Sequence, residues 1–297
     1  KRQAVAVTLG TCYDDWCLSQ IAKKLNFDDD YNYFLNASYN YRNLFNEETS
    51  FFHPKDKNGN FIMPFDYRYA GGQGGREYYD ENNGWIYRWD VAHRISDLIT
   101  LMGGKEQFIR NLDDLFTEPL GMEKFLFYRQ FPDHTGNVGQ FSMANEPSLH
   151  IPYLYNYAGK PWMTQKRIRQ LLKQWFRNDL MGVPGDEDGG GLSAFVVFSS
   201  MGFYPVTPGI PVYNIGSPLF QSIKIDLKNG KTFEIEALNN SEENKYIQSA
   251  TLNGKKWNKP WFSHDEIKNG GKLILIMGNR ANPEWGSSPE SVPPSGE

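Results

Sequence analysis

Residues 201–211 read MGFYPVTPGIP, and the residue pattern changes there from helical to extended. The prolines in this stretch lack a backbone N–H and fix φ, so a helix cannot continue through it. We therefore predict a mainly α protein, with a helical part over residues 1–204 and a smaller antiparallel β segment over residues 205–285. Residues 286–297 are rich in Ser and Pro and are predicted to form a disordered tail.

The helical part is predicted from apolar residues that recur at steps of three or four. The first run places Val5, Leu9, Cys12 and Trp16 on one face of a helix. Further runs lie at residues 31–45, 89–102, 108–116, 147–158, 165–180 and 192–201. Helices that follow one another in this way are typical of α-hairpins packed in a ring or a solenoid.

Alternating apolar and polar residues mark the β segment. Residues 223–227 read IKIDL and residues 233–237 read FEIEA. The pair Asn229-Gly230 between them is a strong signal for a two-residue hairpin turn. A second such pair is Asn253-Gly254, and residues 273–277 are predicted to form the last strand.

Composition and charge exclude several classes of protein. The 31 Lys and Arg nearly balance the 35 Asp and Glu, and a net charge of −4 gives no reason to expect a nucleic-acid partner. No apolar stretch is long enough to span a bilayer. Cys12 and Cys17 do not share a helix face well, so we predict neither a disulfide nor a zinc site. Aromatic residues, at 15%, suit the flat C–H faces of sugars but serve equally as core filler.

A long polar loop over residues 46–83 interrupts the helices and contains the glycine run GGQGG at residues 71–75. Loops of this length inside a domain are usually functional or disordered. The glycine run follows no apolar strand and lacks the lysine and hydroxyl residues that end a phosphate-binding loop. We therefore interpret it as a flexible loop.

Glu81 is the first acidic candidate for chemistry. Hydrolysis of a glycoside needs one carboxylic acid to protonate the leaving oxygen and a second carboxylate on the other face of the sugar. Glu81 lies directly before a predicted helix and close to Trp85, which could provide a partly apolar pocket. The alternative, favoured by this motif alone, is a turn whose negative charges suit the helix dipole.

The pair Asn145-Glu146 is the second candidate, and it also opens a predicted helix. Amide and carboxylate oxygens are ligands that Ca²⁺ prefers. The alternative is a helix cap followed by Pro147 in the first turn. The motif is too common to decide between the two.

Residues 186–191, which read DEDGGG, are the third candidate. Adjacent acids repel one another, and adjacent glycines leave the backbone uncommitted. This arrangement costs stability unless a cation, a water network or a substrate uses it. It does not match the spacing of an EF-hand loop. A solvated acidic loop before the helix at Leu192 is an equally good interpretation.

Taken together and in order, these stretches resemble glycoside hydrolase family 92, the calcium-dependent exo-α-mannosidases. The resemblance covers roughly residues 1–220. The matching stretches are YDDW at 13–16, ENNGW at 81–85, NEPS at 145–148, YLYNYAG at 153–159, DEDGG at 186–190, MGFYP at 201–205 and GSPLF at 216–220.

The family resemblance implies a fold, a partner and a location. The fold would be an (α/α)6 toroid, of which this chain supplies the C-terminal part. The remaining helices and a β-sandwich domain would lie upstream in the same protein, and the β segment would pack against them. The implied location is periplasmic or extracellular.

Carried over to matching positions, the resemblance also implies roles for individual residues. Glu81 would be the general acid, and Asp186 and Asp188 would activate water. Asn145 and Glu146 would bind Ca²⁺, which assists mannose binding and ring distortion. Water placed between base and sugar makes the outcome inverting. The implied substrate is the terminal mannose of α-mannosides such as N-glycans or mannans.

Trp85, beside the implied acid, is our candidate for substrate binding. The sequence departs from many α-1,2-acting members at Met143 and Ala144, where those members carry a His followed by Gly or Glu. It departs again at Leu149, where a His is frequent. These positions would border the leaving-group subsite, so the linkage is left open. Alternatives are a catalytically silent carbohydrate-binding relative, or another glycosidase or a lyase on a helical toroid.

Overall fold

The computed structural model of the protein describes residues 2–73, 75–185 and 187–296. The chain separates into two compact units, of which the first ends at Ser148 and the second spans Leu149–Gly296. Within the described ranges, no helix combines the length and the apolar character needed to cross a membrane. The predicted division between residues 204 and 205 stays a prediction.

The first unit is mainly helical. Its α-helices are α1 (Ala4–Leu25), α2 (Asp28–Ala37), α3 (Gly84–Tyr87), α4 (Ile95–Leu101), α5 (Lys105–Leu115) and α6 (Lys124–Gln130). Short 3-10 helices span Asn40–Leu44, Ala92–Arg94 and Glu146–Ser148. Two small antiparallel hairpins pair β1 (Phe45–Asn46) with β2 (Phe51–Phe52), and β3 (Asn137–Val138) with β4 (Phe141–Ser142).

Helix α1 forms as its apolar spacing predicts. Val5, Leu9, Cys12 and Trp16 are all buried, because steps of three and four bring them to one face of the helix. The helix ends at Asn26, whose left-handed conformation (φ 60°) lets its N–H donate to carbonyls of the last turn. The local sequence therefore determines both the buried face and the end of α1.

The second unit contains helices and most of the β structure. It begins with a 3-10 helix over Ile151–Asn156, followed by α7 (Pro161–Trp175) and α8 (Gly191–Met201). The strands are β5 (Phe203–Tyr204), β6 (Val212–Ile215), β7 (Ser222–Asp226), β8 (Thr232–Leu238), β9 (Tyr246–Leu252), β10 (Lys255–Lys256), β11 (Trp261–Ser263) and β12 (Gly271–Gly278). The short helix α9 (His264–Ile267) precedes β12, and a 3-10 helix spans Pro289–Ser291. A helical part followed by a smaller β part confirms the predicted fold class.

The strands form a five-stranded sheet in the order β10-β9-β12-β8-β7 and a three-stranded sheet in the order β11-β6-β5. The predicted hairpins are confirmed, because β7 pairs with β8 and β9 with β10 in antiparallel fashion. One pair differs from the predicted antiparallel segment, since β12 runs parallel to β8 and antiparallel to β9. In this sheet β12 lies between strands of opposite direction, so it can be antiparallel to only one of them.

Apolar side chains from both sheets share one core. Phe203 and Phe262 from the smaller sheet and Phe233, Ile247 and Leu275 from the larger one belong to the same buried cluster. Phe203 and Phe262 lie 5.4 Å apart between ring centroids. The alternation of apolar residues along each strand places these side chains on the inward face.

The disordered tail predicted for residues 286–297 stays a prediction, although the described part of this segment contains local structure. Ser291 is buried, and the short 3-10 helix over Pro289–Ser291 is formed. The indole Nε1 of Trp261 donates to the carbonyls of Ser291 (3.0 Å) and Val292 (3.1 Å). A tryptophan far away in the sequence therefore orders a segment whose composition indicates a free end.

Candidate active site

Asn83 determines where α3 begins and so fixes the turn that carries Glu81. Its Oδ1 accepts a hydrogen bond from the backbone N–H of Trp85 (3.1 Å), which is a typical N-cap. Its Nδ2 donates to the carbonyl of Arg68 (3.1 Å) and to Oε1 of Gln140 (2.9 Å). Asn83 is fully buried. These bonds connect the turn to segments on both sides of it in the sequence.

The glycine run, interpreted above as a flexible loop, is closely packed behind this turn at Gly71 and Gly72. A Cβ atom on Gly71 would lie 2.3 Å from the carbonyl oxygen of Asn82, and one on Gly72 would lie 2.1 Å from that of Gln130. Both glycines have positive φ, 118° and 66°. The N–H of Gly72 donates to the carbonyl of Asp80 (2.7 Å). Close contacts with Asn82, directly after Glu81, and with Gln130 therefore require glycine at these two positions.

The second candidate segment follows the β3–β4 hairpin. Directly after β4, the N–H groups of Met143 and Ala144 donate to the carbonyls of Gly136 (3.1 Å) and Thr135 (3.3 Å). Met143 is fully buried and Ala144 is only 4% exposed. The chain thus reaches Asn145 from a fixed hairpin, with two buried apolar residues immediately before it.

Glu81 and Asn145 meet in the first unit. The Nδ2 atom of Asn145 donates to Oε2 of Glu81 at 3.1 Å. Asn145 is 2% exposed, whereas Glu81 remains partly accessible. The structure therefore brings two of the sequence candidates together, and Glu146 follows as the first residue of its 3-10 helix.

The pair Asn145-Glu146 has a donor set that fits a hard cation. The Oδ1 atom of Asn145 is buried and has no hydrogen-bond partner among the described residues. Leaving a buried carbonyl oxygen unsatisfied costs free energy, and a cation or a water removes that cost. An amide oxygen next to a carboxylate is the combination that Ca²⁺ prefers. Across the described ranges, no group of three or more His, Cys, Asp or Glu forms a metal cluster.

Trp85 lies on α3 in an aromatic cluster. Its ring meets that of Phe51 edge-on at 5.1 Å, and Phe51 stacks on Tyr67 at 4.0 Å. The guanidinium of Arg88 lies 4.1 Å from the Phe51 ring centroid, and its Nε donates to the carbonyl of Ser50 (2.7 Å). Trp85 itself stays partly accessible. The cluster thus holds an indole ring in one orientation without burying it completely.

The third candidate segment lies in the second unit, before α8. Asp186 lies outside the described residues, and Asp188 is exposed. Between them, Oε2 of Glu187 accepts from both N–H (2.8 Å) and Oγ (2.6 Å) of Ser193. Hydrogen bonds from Ser193 lower the pKa of Glu187. Glu187 therefore stabilises the first turn of α8, and Asp188 is the described carboxylate left for chemistry in this segment.

The residues that hold the candidates in place are not among those predicted from the sequence. Asn83, Gly71 and Gly72 position the Glu81 turn, and Phe51 supports Trp85. The role of Asn83 as a helix cap could have been predicted from the sequence. An Asn directly before Gly84 and an apolar stretch is typical of a helix N-terminus. The supporting roles of Gly71 and Phe51 had no such local signal.

Comparison with known proteins agrees with the fold and with these motifs. The model of the glycosyl hydrolase family 92 catalytic domain matches residues 1–279. The chain belongs to glycosyl hydrolase family 92. This confirms the family that the sequence motifs indicated.

This family 92 protein resembles several longer proteins in sequence and in structure. It is 32% identical, over 99% of its length, to an uncharacterized secreted glycosidase from Arthroderma benhamiae. It resembles the solved structure of the family GH92 α-mannosidase BT3965 from Bacteroides thetaiotaomicron in complex with mannoimidazole, with TM-score 0.92, 37% identity and 99% of this chain covered. It also resembles the inverting mannosidase BT2199 of the same organism, with TM-score 0.86, 36% identity and 99% coverage.

The chain spans about two fifths of each of these relatives. The covered shares are 38% of the Arthroderma protein, 39% of BT3965 and 40% of BT2199. The shared fold therefore extends over this chain and over a minor part of each relative.

Proposed function

We propose that this protein is an inverting, exo-acting α-mannosidase that hydrolyses terminal mannose from α-mannosides such as N-glycans or mannans. Family membership and the similarity to two solved mannosidases support the reaction class. The observation that carries the proposal is the hydrogen bond from Asn145 to Glu81. It joins the residue proposed as the acid to the segment proposed to bind a cation.

Glu81 is the proposed general acid. It would give its proton to the oxygen of the leaving group as the glycosidic bond breaks. Asn145 donates to Oε2, so Oε1 remains available to carry the transferable proton. The buried amide also fixes the direction of the carboxyl group, which holds the proton in place for transfer.

Asp186 and Asp188 are the proposed pair that activates water. They would accept the proton of a water molecule that attacks the anomeric carbon from the face opposite the leaving group. A single displacement of this kind inverts the anomeric configuration. This assignment is supported by the family resemblance of residues 186–190 and by the exposed position of Asp188.

Asn145 and Glu146 are the proposed Ca²⁺ ligands. Bound Ca²⁺ would supply Lewis-acid and template chemistry for the sugar hydroxyls. The support in this chain is the buried Oδ1 of Asn145, which lacks a partner among the described residues. Trp85 would add an aromatic face for the C–H groups of the sugar.

The test is mannose release by the full-length protein, with the anomer of the first product followed by NMR. We expect β-mannose to appear first from an α-linked substrate, EDTA to abolish turnover, and Ca²⁺ to restore it. Glu81→Gln should lose about 10²–10⁴-fold in rate on a substrate with a poor leaving group. The same variant should lose much less on an aryl mannoside whose leaving group needs no proton.

Glu77→Gln serves as the matched control, because it changes an exposed glutamate of the same segment. It should keep wild-type rates on both substrates. First release of α-mannose would contradict inversion, and turnover unaffected by EDTA would contradict the role of Ca²⁺. Sugar binding without any turnover would instead indicate a catalytically silent relative.

A periplasmic or extracellular location is part of the same proposal. It is supported by the similarity to a glycosidase described as secreted. The expectation that an upstream β-sandwich and further helices complete the toroid stays a prediction. Fractionation of cells that express the full-length protein would test the location directly.

A further inference from the structure

A cavity of about 770 Å³ lies in the second unit between α7 and the loops that flank the larger sheet. We call it the α7 pocket. Its charged lining comes from Lys166, Arg169, Lys173, Glu242 and Lys245. Apolar residues, including Phe176 and Leu219, complete the wall. None of the residues proposed for hydrolysis lines it.

One face of α7 supplies most of the positive charge. Lys166, Arg169 and Lys173 follow at intervals of three and four residues, so they share a face of the helix. Like charges at this spacing repel and destabilise a helix. The arrangement is therefore unfavourable for the helix alone, and an anion in the α7 pocket would relieve the repulsion.

The charges lining the pocket do not cancel. Glu242 is the acidic residue of the lining, and its carboxylate pairs with Lys173. Among the described residues, neither Lys166 nor Lys245 has a carboxylate partner. Two ammonium groups thus face one cavity without a compensating negative charge.

Arg169 adds a third uncompensated charge. Its Nη1 donates to the carbonyl of Pro218 (2.6 Å) and to Oδ1 of Asn240 (3.0 Å), and its Nη2 donates to the carbonyl of Ser241 (2.5 Å). These acceptors are neutral, and burial lowers the pKa of Arg169. The guanidinium therefore holds the wall of the pocket together while its own charge stays unbalanced.

The wall opposite α7 is fixed in position. Asn240 is 6% exposed, and its Nδ2 donates to the carbonyls of Pro218 (3.1 Å) and Phe220 (3.3 Å). On the helix side, Oε1 of Gln165 accepts from the N–H of Ile247 (2.9 Å), which connects α7 to β9. A site with walls held in this way needs little rearrangement to receive a ligand.

We propose that the α7 pocket binds a tetrahedral oxyanion carried on a sugar, namely a phosphate or sulfate ester. The donors left available are the lysine ammonium groups, which act as point charges and suit phosphate or sulfate oxygens. The planar fork of Arg169 is occupied by neutral acceptors, so the bidentate geometry that favours a carboxylate is not offered. Phe176 and Leu219 provide apolar surface for the sugar ring.

The test is calorimetric titration of the full-length protein in phosphate-free buffer of low ionic strength. The probes are glucose 6-phosphate, glucose 6-sulfate, glucuronate and glucose, which avoid the mannose site of the proposed function. We expect saturable binding of at least one ester and none of glucose. Lys166→Ala/Lys245→Ala should weaken that binding about tenfold or more, and added salt should weaken it further.

Two variants make the result specific. Lys166→Arg/Lys245→Arg keeps both charges and should bind within about threefold of wild type, a difference of less than 1 kcal/mol. Lys255→Ala/Lys256→Ala removes two exposed lysines from β10 and should change nothing. Thermal melting of each variant shows that it is folded.

Each outcome either supports or contradicts binding of a sugar ester in the α7 pocket. Selective binding of the phosphate ester assigns a doubly charged ligand, and selective binding of the sulfate ester assigns a singly charged one. The proposal is wrong if neither ester binds, if glucuronate binds as well as they do, or if Lys166→Ala/Lys245→Ala binds like wild type. Because no turnover is measured, failure here leaves the proposed mannosidase activity unaffected.

Discussion

The side-chain amide of Asn145 donates a hydrogen bond to the carboxylate of Glu81, with 3.1 Å between Nδ2 and Oε2 across 64 positions of sequence. An amide that donates through Nδ2 directs its Oδ1 away from the acceptor. That Oδ1 is buried and has no partner among the described residues. The orientation of one side chain therefore connects the proposed acid with the proposed cation site.

Two substitutions of Asn145 should separate these roles. Asn145→Asp keeps an oxygen for the cation but removes the donor to Glu81, so kcat should fall about tenfold to a hundredfold while Ca²⁺ binding persists. Asn145→Ala removes both groups, so Ca²⁺ affinity should fall as well. Steady-state kinetics and calorimetric titration with Ca²⁺ measure the two effects. Asn32→Ala, on an exposed face of α2, is the control and should alter neither.

Gly71→Ala should destabilise the protein and reduce activity together. The new Cβ would collide with the carbonyl of Asn82 in a backbone conformation that already disfavours side chains. We expect a loss of about 3 kcal/mol or more in the free energy of unfolding. Gly59→Ala is a matched control, because Gly59 has φ 86° but no atom within 4 Å of the added Cβ. It should cost about 1 kcal/mol, and an equal loss in both variants would refute the packing explanation.

Trp85→Ala should weaken substrate binding more than it slows the chemical step. Loss of an aromatic face costs about 0.5–1.5 kcal/mol, which corresponds to a KM increase of roughly 2- to 13-fold. Trp85→Phe should recover most of this loss, because a flat ring remains beside Phe51. Kinetics on a mannoside at several concentrations give both constants. A change confined to kcat would argue against a binding role, and Tyr33→Ala at an exposed aromatic residue should have no effect.

Asp90 should make stability depend on pH. Burial raises the pKa of its carboxyl from 3.8 to about 6, although part of the residue stays accessible. Folding thus favours the protonated form, so Asp90 carries no penalty below pH 3.8 and an increasing penalty as the pH rises to 6. Asp90→Asn should therefore be more stable than wild type at pH 8, by on the order of 1–3 kcal/mol.

Chemical unfolding at pH 4 and pH 8 checks this prediction for Asp90. The gain from Asp90→Asn should be small at pH 4 and largest at pH 8. Glu243→Gln, which alters an exposed carboxylate, should show no such difference. A gain of equal size at both pH values would mean that ionisation of Asp90 is not the cause.

Local patterns predicted those parts of the fold that local contacts determine. The buried face of α1 and the turn at Asn229-Gly230 follow from residues close together in the sequence. The parallel pairing of β12 with β8 has no such signal, because it depends on where β12 enters the sheet. The same holds for the ordered segment near Ser291, which depends on a hydrogen bond from Trp261.

The family, the order of a helical part before a β part, and the identity of the acidic and amide residues can all be predicted from the sequence. Those features reside in residue types and their order along the chain. The hydrogen bond from Asn145 to Glu81 and the packing of Gly71 behind the Glu81 turn become visible only in the three-dimensional structure. Such contacts join segments far apart in the chain, and their geometry is set by the packing of all the elements between them.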